Sequence, residues 1–226
     1  MDQNITIDNS SVVECGEGLG EFSAELTGLS ASTKYYVKAY AVVDSKVIYS
    51  PAKSFFTADL TGVIDLSING TANSYIVSYA GNYKFRADVK GNSTEAISNP
   101  TAVVVIWETL NTSDAVTQGS LISSVSLKDG YVNFSTPEDF TPGNALIAVK
   151  SAGKILWSWH IWAVDGDIES SAQLYDTGVL MMDRNLGALT ATPGDVRSFG
   201  LLYQWGRKDP FVGYGDVANK TAAATY

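Results

Sequence analysis

The chain has 226 residues, 45% of them apolar and 17% charged, and carries a formal net charge of −9. That acidity, with no Lys/Arg cluster, argues against nucleic acid and anionic lipid as partners, since both repel a negative surface. The lone cysteine, Cys15, excludes an intrachain disulfide and a multi-cysteine zinc site, and no apolar run reaches the ~20 residues of a membrane-spanning helix.

With 20 Gly, 12 Tyr and much Ser, Thr and Val, the composition leans to an all-β chain with room for one to three small domains. The start, MDQNITID, is polar and acidic and does not read as a signal peptide. Seven Asn-x-Ser/Thr sequons are uninformative in a chain so rich in these residues. Residues 1–57 read as strands. Residues 22–26 alternate, residues 29–33 make a tight corner, and Tyr35, Val37, Ala39 and Ala41 share one face of a long strand. Shorter strands follow at 47–50 and 53–57. Four or five strands fall short of the seven of a complete sandwich, so the chain is expected to begin inside a domain.

Residues 58–62 read as a linker, and a second unit runs over 63–166. A strand and turn are expected over 65–70, and strands at 74–78 and 83–89 joined across Ala80-Gly81-Asn82. Residues 90–100 read as a loop. Residues 102–107 (AVVVIW) are apolar on both faces, which predicts a central strand. Strands at 121–125 and 131–134 bracket the turn signal Asp129-Gly130. Residues 145–149 and 155–164 form a hairpin about residues 150–154. In its second strand Ile155, Trp157, Trp159 and Ile161 share one face, and Leu156, Ser158, His160, Trp162 and Val164 the other. Three Trp in six residues, each able to bury roughly 150–250 Å2, place this hairpin at the centre of a β-sandwich core. From Asp167 the pattern changes, and residues 167–226 read as the first part of a third, irregular domain ending in a tail without a core pattern.

Three stretches, residues 71–92, 144–162 and 181–211, together resemble multidomain surface proteins of Bacteroidetes, including fimbrillin-like proteins and lipoproteins. The pattern Leu29, Thr33, Tyr35, Val37, Ala39 and the closing YSPAKSFFT resemble a fibronectin type III domain, here partial over residues 1–58, with a tyrosine corner. Met182, Asn185, Leu186, Gly200, Tyr203 and Trp205 resemble the start of the Fibrobacter succinogenes major paralogous domain. The resemblance implies tandem immunoglobulin- or fibronectin III-like β-sandwiches followed by a truncated domain. It also implies an exported protein at the cell surface, anchored to the outer membrane through an upstream segment. The resemblance implies that the chain carries only the first part of that last domain.

No catalytic constellation is visible. His160, the only histidine, reads as structural, and one His and one Cys far apart give no Ser/His/Asp or Cys/His machine. Gly16, Gly18 and Gly20 do not fit a nucleotide loop, and no helix follows. Asp165, Asp167 and Glu169 alternate as calcium ligands do, without the spacing of an EF-type loop; the competing reading is a solvated acidic turn. Asp183, Arg184, Arg207, Lys208 and Asp209 accompany Tyr203, Trp205 and Phe211. Aromatic faces beside hydrogen-bonding charges suit a sugar-binding site, and the same residues also suit core Trp packing with buried Arg–Asp pairs. The expectation is a non-catalytic adhesion or glycan-binding surface protein, with glycans or other cell-surface proteins as partners and no cofactor beyond a weak Ca2+ candidate. The alternatives are accessory modules of a secreted carbohydrate-active enzyme, or a structural fimbrial subunit completed by a donated strand.

Overall fold

The computed structural model describes residues 4–30, 33–57, 59–110, 116–176 and 178–211. The protein is mainly β, with several open sheets and no barrel, and divides into two compact units, Met1–Ala58 and Asp59–Tyr226. In the first unit β1 (Lys34–Val37) pairs antiparallel with β4 (Lys53–Phe56), and β2 (Tyr40–Val43) with β3 (Lys46–Tyr49). Asp44 and Ser45 at φ 47° and 63° give the left-handed two-residue turn that suits the twist of β2 and β3. The single long strand expected over 35–41 is split. Ser50 N–H donates to Ala39 O (2.9 Å) and Ala39 N–H to Ser50 Oγ (3.0 Å), and there the chain exchanges β4 for β3 as partner. Residues 22–26 form no strand. At the expected corner Ser30 N–H donates to Tyr35 Oη at 2.9 Å; Ala31 and Ser32 lie outside the described residues.

The second unit holds β5 (Asp59–Asp65), β6 (Ser74–Val77), β7 (Gly81–Arg86), β8 (Ala102–Leu110), β9 (Ser124–Lys128), β10 (Tyr131–Ser135), β11 (Gly143–Ser151) and β12 (Lys154–Ala163). They form two four-stranded sheets, ordered β5-β7-β10-β9 and β6-β12-β11-β8. Alternation turns Tyr83, Phe85, Val132 and Phe134 of the first sheet and Ala145, Ile147, Trp159 and Ile161 of the second into one shared core. Phe85 sits at its centre, its ring 5.0 Å from Trp159 and 4.9 Å from Tyr75. Residues 59–62, expected as linker, belong to β5. β6 and β7, expected as neighbours across Gly81, belong to opposite sheets: β6 runs parallel to β12, and β7 pairs with β10 and β5.

Asp129-Gly130 (φ 51° and 80°) and Ala152-Gly153 (φ 49° and 77°) are two-residue hairpin turns, the second tighter than the five residues expected. β8 is an edge strand, not a central one. Val103 and Val105 meet the shared core, and Trp107 and Ile106 pack with Leu201 of the later chain.

The chain after β12 forms α1 (Ile168–Ser171), the short exposed pair β13 (Gln173–Leu174) and β14 (Leu180–Met181), and a 3-10 turn at Val196–Ser198. Residues 63–166 and 167–226, expected as separate domains, fall in one compact unit, Asp59–Tyr226. Leu201 packs on Trp107 and Leu146, and Leu189 on the cluster of Trp162, Val164 and Ile168. On the outer face of the β12 sheet this segment takes Leu146, Trp162 and Val164 out of water, among polar groups that it also buries. The tail after Phe211 lies outside the described residues.

Candidate functional site

The outer face of β11 and β12 is a row of buried polar groups beneath the covering segment. Alternation places Ser158, His160 and Trp162 there, opposite Trp159 and Ile161. Asn144 on β11 donates through Nδ2 to Gly187 O at 3.0 Å, which fixes its Oδ1 toward His160 Nε2 at 2.9 Å. The imidazole therefore carries its proton on Nε2, and Nδ1 accepts from the Ser74 hydroxyl of β6 at 2.9 Å. Trp162 Nε1 donates to Ala188 O at 3.1 Å. These bonds tie the 187–188 turn to three strands.

A second tie lies farther along. Ser158 Oγ donates to both oxygens of Asp209, at 2.8 and 2.9 Å, and both residues are buried. The Lys208 ammonium donates to Asp209 Oδ1 at 2.6 Å, to Ser158 O at 2.9 Å and to Ser158 Oγ, and lies 4.4 Å over the Trp157 ring. Loss of solvent pulls the Lys208 pKa down, against the opposing pull of Asp209.

The Ser74–His160–Asn144 chain has the connectivity of a hydroxyl, an imidazole and an orienting amide, and its electrostatics argue against a catalytic base. Burial pushes the His160 pKa down to about 3, with Asp209 opposing. An imidazole so weakly basic does not take a proton from a serine hydroxyl at neutral pH. His160 is a structural linker of strands.

The ligand-binding candidates separate into different roles. Asp183 and Arg184 pair with each other through two bonds, Nε–Oδ1 at 2.7 Å and Nη2–Oδ2 at 2.9 Å, and that bond to Arg184 lowers the Asp183 pKa. Asp209 belongs to the buried tie. The Arg207 guanidinium lies 4.4 Å over the Phe211 ring. Tyr203 is 44% exposed, and desolvation and the nearby Asp209 carboxylate raise its pKa. Trp205 is fully exposed on the turn where Arg207 N–H closes onto Gln204 O at 3.0 Å. Of the calcium candidates, Asp165 is exposed, Asp167 half-buried, and the Glu169 side chain lies outside the described set. Among the described residues no three His, Cys, Asp or Glu side chains come together as a metal site.

The sequence reading missed Ser74, Asn144 and Ser158 as partners, and Glu108, a buried carboxylate accepting from Gly119 N–H (3.2 Å) and Leu121 N–H (2.7 Å). Polar residues inside otherwise apolar strands were the available signal. No protein-family model, curated protein or solved structure matches this chain.

Proposed function

We propose that this chain is a non-catalytic recognition module that binds glycans through the aromatic turn at residues 203–205. The observation that carries this reading is Trp205, fully exposed on a turn whose next residues, Lys208 and Asp209, are tied to a central strand through Ser158. Exposing an indole forfeits roughly 2–3 kcal/mol of burial, and the tie through Ser158 holds the backbone that follows the turn. An indole face with a tyrosine two residues away suits the apolar face of a pyranose ring. The resemblance to Bacteroidetes surface proteins supports an exported, cell-surface setting and immunoglobulin- or fibronectin III-like sandwiches as the fold type. A glycan array of the folded protein tests the reading: saturable binding to a defined set of glycans is expected, and silence across the array overturns it.

A second reading, a structural fimbrial subunit, draws on a groove of about 640 Å3 beside the edge strands β8 and β9, walled by Val104, Ile106, Ile122 and Val125. Such an edge suits an added strand. Concentration-dependent polymers in light scattering would favour it, and a monomer at all concentrations would exclude it.

A further inference from the structure

The outer face of the β5-β7-β10-β9 sheet, across the core from the covered face, differs in chemistry from the rest of the chain. Strand register aligns its outward residues in three rungs over β7, β10 and β9. These are Arg86–Tyr131–Lys128, Lys84–Asn133–Ser126 and Asn82–Ser135–Ser124. The intervening residues point into the core, so all nine side chains share the outer face. The nine include three cations and no carboxylate, in a chain with 24 Asp and Glu against 15 Lys and Arg, and β5 adds one carboxylate to this face, Asp65 opposite Lys84.

The cations gather at Tyr131. Arg86 and Lys128 flank it on the neighbouring strands, and the Lys84 ammonium lies 4.7 Å over its ring. Arg86 pairs with Asp88 (2.8 Å) and Lys84 with Asp65 (3.7 Å), both in partly exposed positions where such pairs are weak. Lys128 is exposed and has no ion-pair partner among the described residues. The third rung is a hydrogen-bonded ladder, Ser124 Oγ to Ser135 Oγ at 3.0 Å and Ser135 Oγ to Asn82 Oδ1 at 2.7 Å. It holds small hydroxyl and amide groups flat on the surface.

We infer that this face binds an acidic polysaccharide of the uronate type, its carboxylates at the Arg86–Tyr131–Lys128 rung and its hydroxyls on the Asn82–Ser135–Ser124 rung. Adjacent strands are about 4.8 Å apart, so a rung spans about 10 Å, the length scale of a disaccharide. Charge complementarity selects an anion, and guanidinium and ammonium groups bond carboxylates more strongly than neutral donors do. The three rungs carry no apolar side chain apart from Tyr131, and the exposed Val63 of β5 lies beside them at Asn82, which leaves few of the anchors a protein interface needs. The ligand class follows from this face alone and does not depend on Trp205.

The test is binding to polygalacturonate, with dextran as neutral control, by calorimetry at about 20 mM and about 300 mM salt. The parent is expected to bind polygalacturonate and not dextran, more weakly at the higher salt. Arg86→Ser and, separately, Lys128→Glu are expected to weaken binding roughly tenfold or more, with unchanged melting. Lys128→Glu alters an exposed side chain, so it reports on the face even if Arg86→Ser does not fold. Trp205→Ala is expected to leave this binding intact, so loss at one site is distinguishable from loss at the other. No binding by the parent, binding that survives Lys128→Glu, or tighter binding to a single-stranded oligonucleotide would overturn the inference.

Discussion

Ser158 gives its hydroxyl proton to the carboxylate of Asp209, 51 positions away in sequence, and this bond joins the turn carrying Trp205 to the middle of the Trp-rich strand. Both ends are buried, so neither side chain has water as an alternative partner.

Ser158→Ala leaves Asp209 with fewer partners in a site closed to water. A loss of about 2 kcal/mol is expected, roughly 4–8 °C in Tm for a unit of this size. Hydrogen exchange should accelerate over residues 199–211 and stay slow in β7 and β10. Uniform acceleration across both regions would show that the tie is not local.

His160 sets a pH dependence of its own. Its folded pKa, about 3, lies below the ordinary 6.5, so the unfolded chain binds the proton first as pH falls. Stability from this group is full above about pH 6.5 and is lost progressively on the way down to about pH 3. From pH 7.5 to 5.0 a loss of about 2 kcal/mol is expected in urea denaturation. The depressed carboxyl of Asp183 acts in the same direction at lower pH, below the ordinary Asp value. As His160 is the only histidine, His160→Gln should flatten the slope between pH 6.5 and 5.0. An unchanged slope would remove His160 as its source.

Glu108 holds the chain at 119–121 against β8 by accepting two backbone N–H groups. Glu108→Gln replaces one carboxylate oxygen with a donor facing a donor. A loss of about 1–3 kcal/mol is expected in chemical denaturation, with faster exchange of the Gly119 and Leu121 amides.

Gly143 opens β11 where it meets β8. A Cβ there would lie 2.0 Å from Thr109 O, a backbone atom that cannot rotate away. Gly143→Ala is expected to cost at least about 3 kcal/mol through strain in the strand pair, and Tm would register it. Gly153→Ala, in a turn with open space around the new Cβ, should cost about 1 kcal/mol through its positive φ alone.

Much of the second unit was legible as period-two patterning. Alternation in β12 put Trp159 and Ile161 on one face and Ser158, His160 and Trp162 on the other, and the two faces meet different layers. What alternation does not carry is the identity of the neighbour. In β8 the apolar residues on both faces report burial toward its Trp107 end, and they are silent on how many strands flank it. The short gap between β6 and β7 marks two strands without saying that they part to different sheets. The break at Lys38-Ala39 depends on Ser50, whose backbone and hydroxyl bond Ala39, and no local pattern at 35–41 reports it.

The candidate site was legible in composition and not in geometry. Asp183, Arg184, Tyr203, Trp205, Arg207 and Asp209 were visible as a set of aromatics and charges. Their separation into an ion pair, a buried tie and an exposed indole depends on Ser158 and on the covering of the β12 sheet, both long-range consequences of folding.

The most direct measurement is a calorimetric titration of the strongest neutral glycan from the array into the parent and into Trp205→Ala, with Tm recorded for both. Recognition through the exposed indole requires roughly tenfold weaker binding by Trp205→Ala at unchanged Tm, since an aromatic contact is worth about 0.5–1.5 kcal/mol beyond the area it buries. Equal affinity in the two proteins would contradict it.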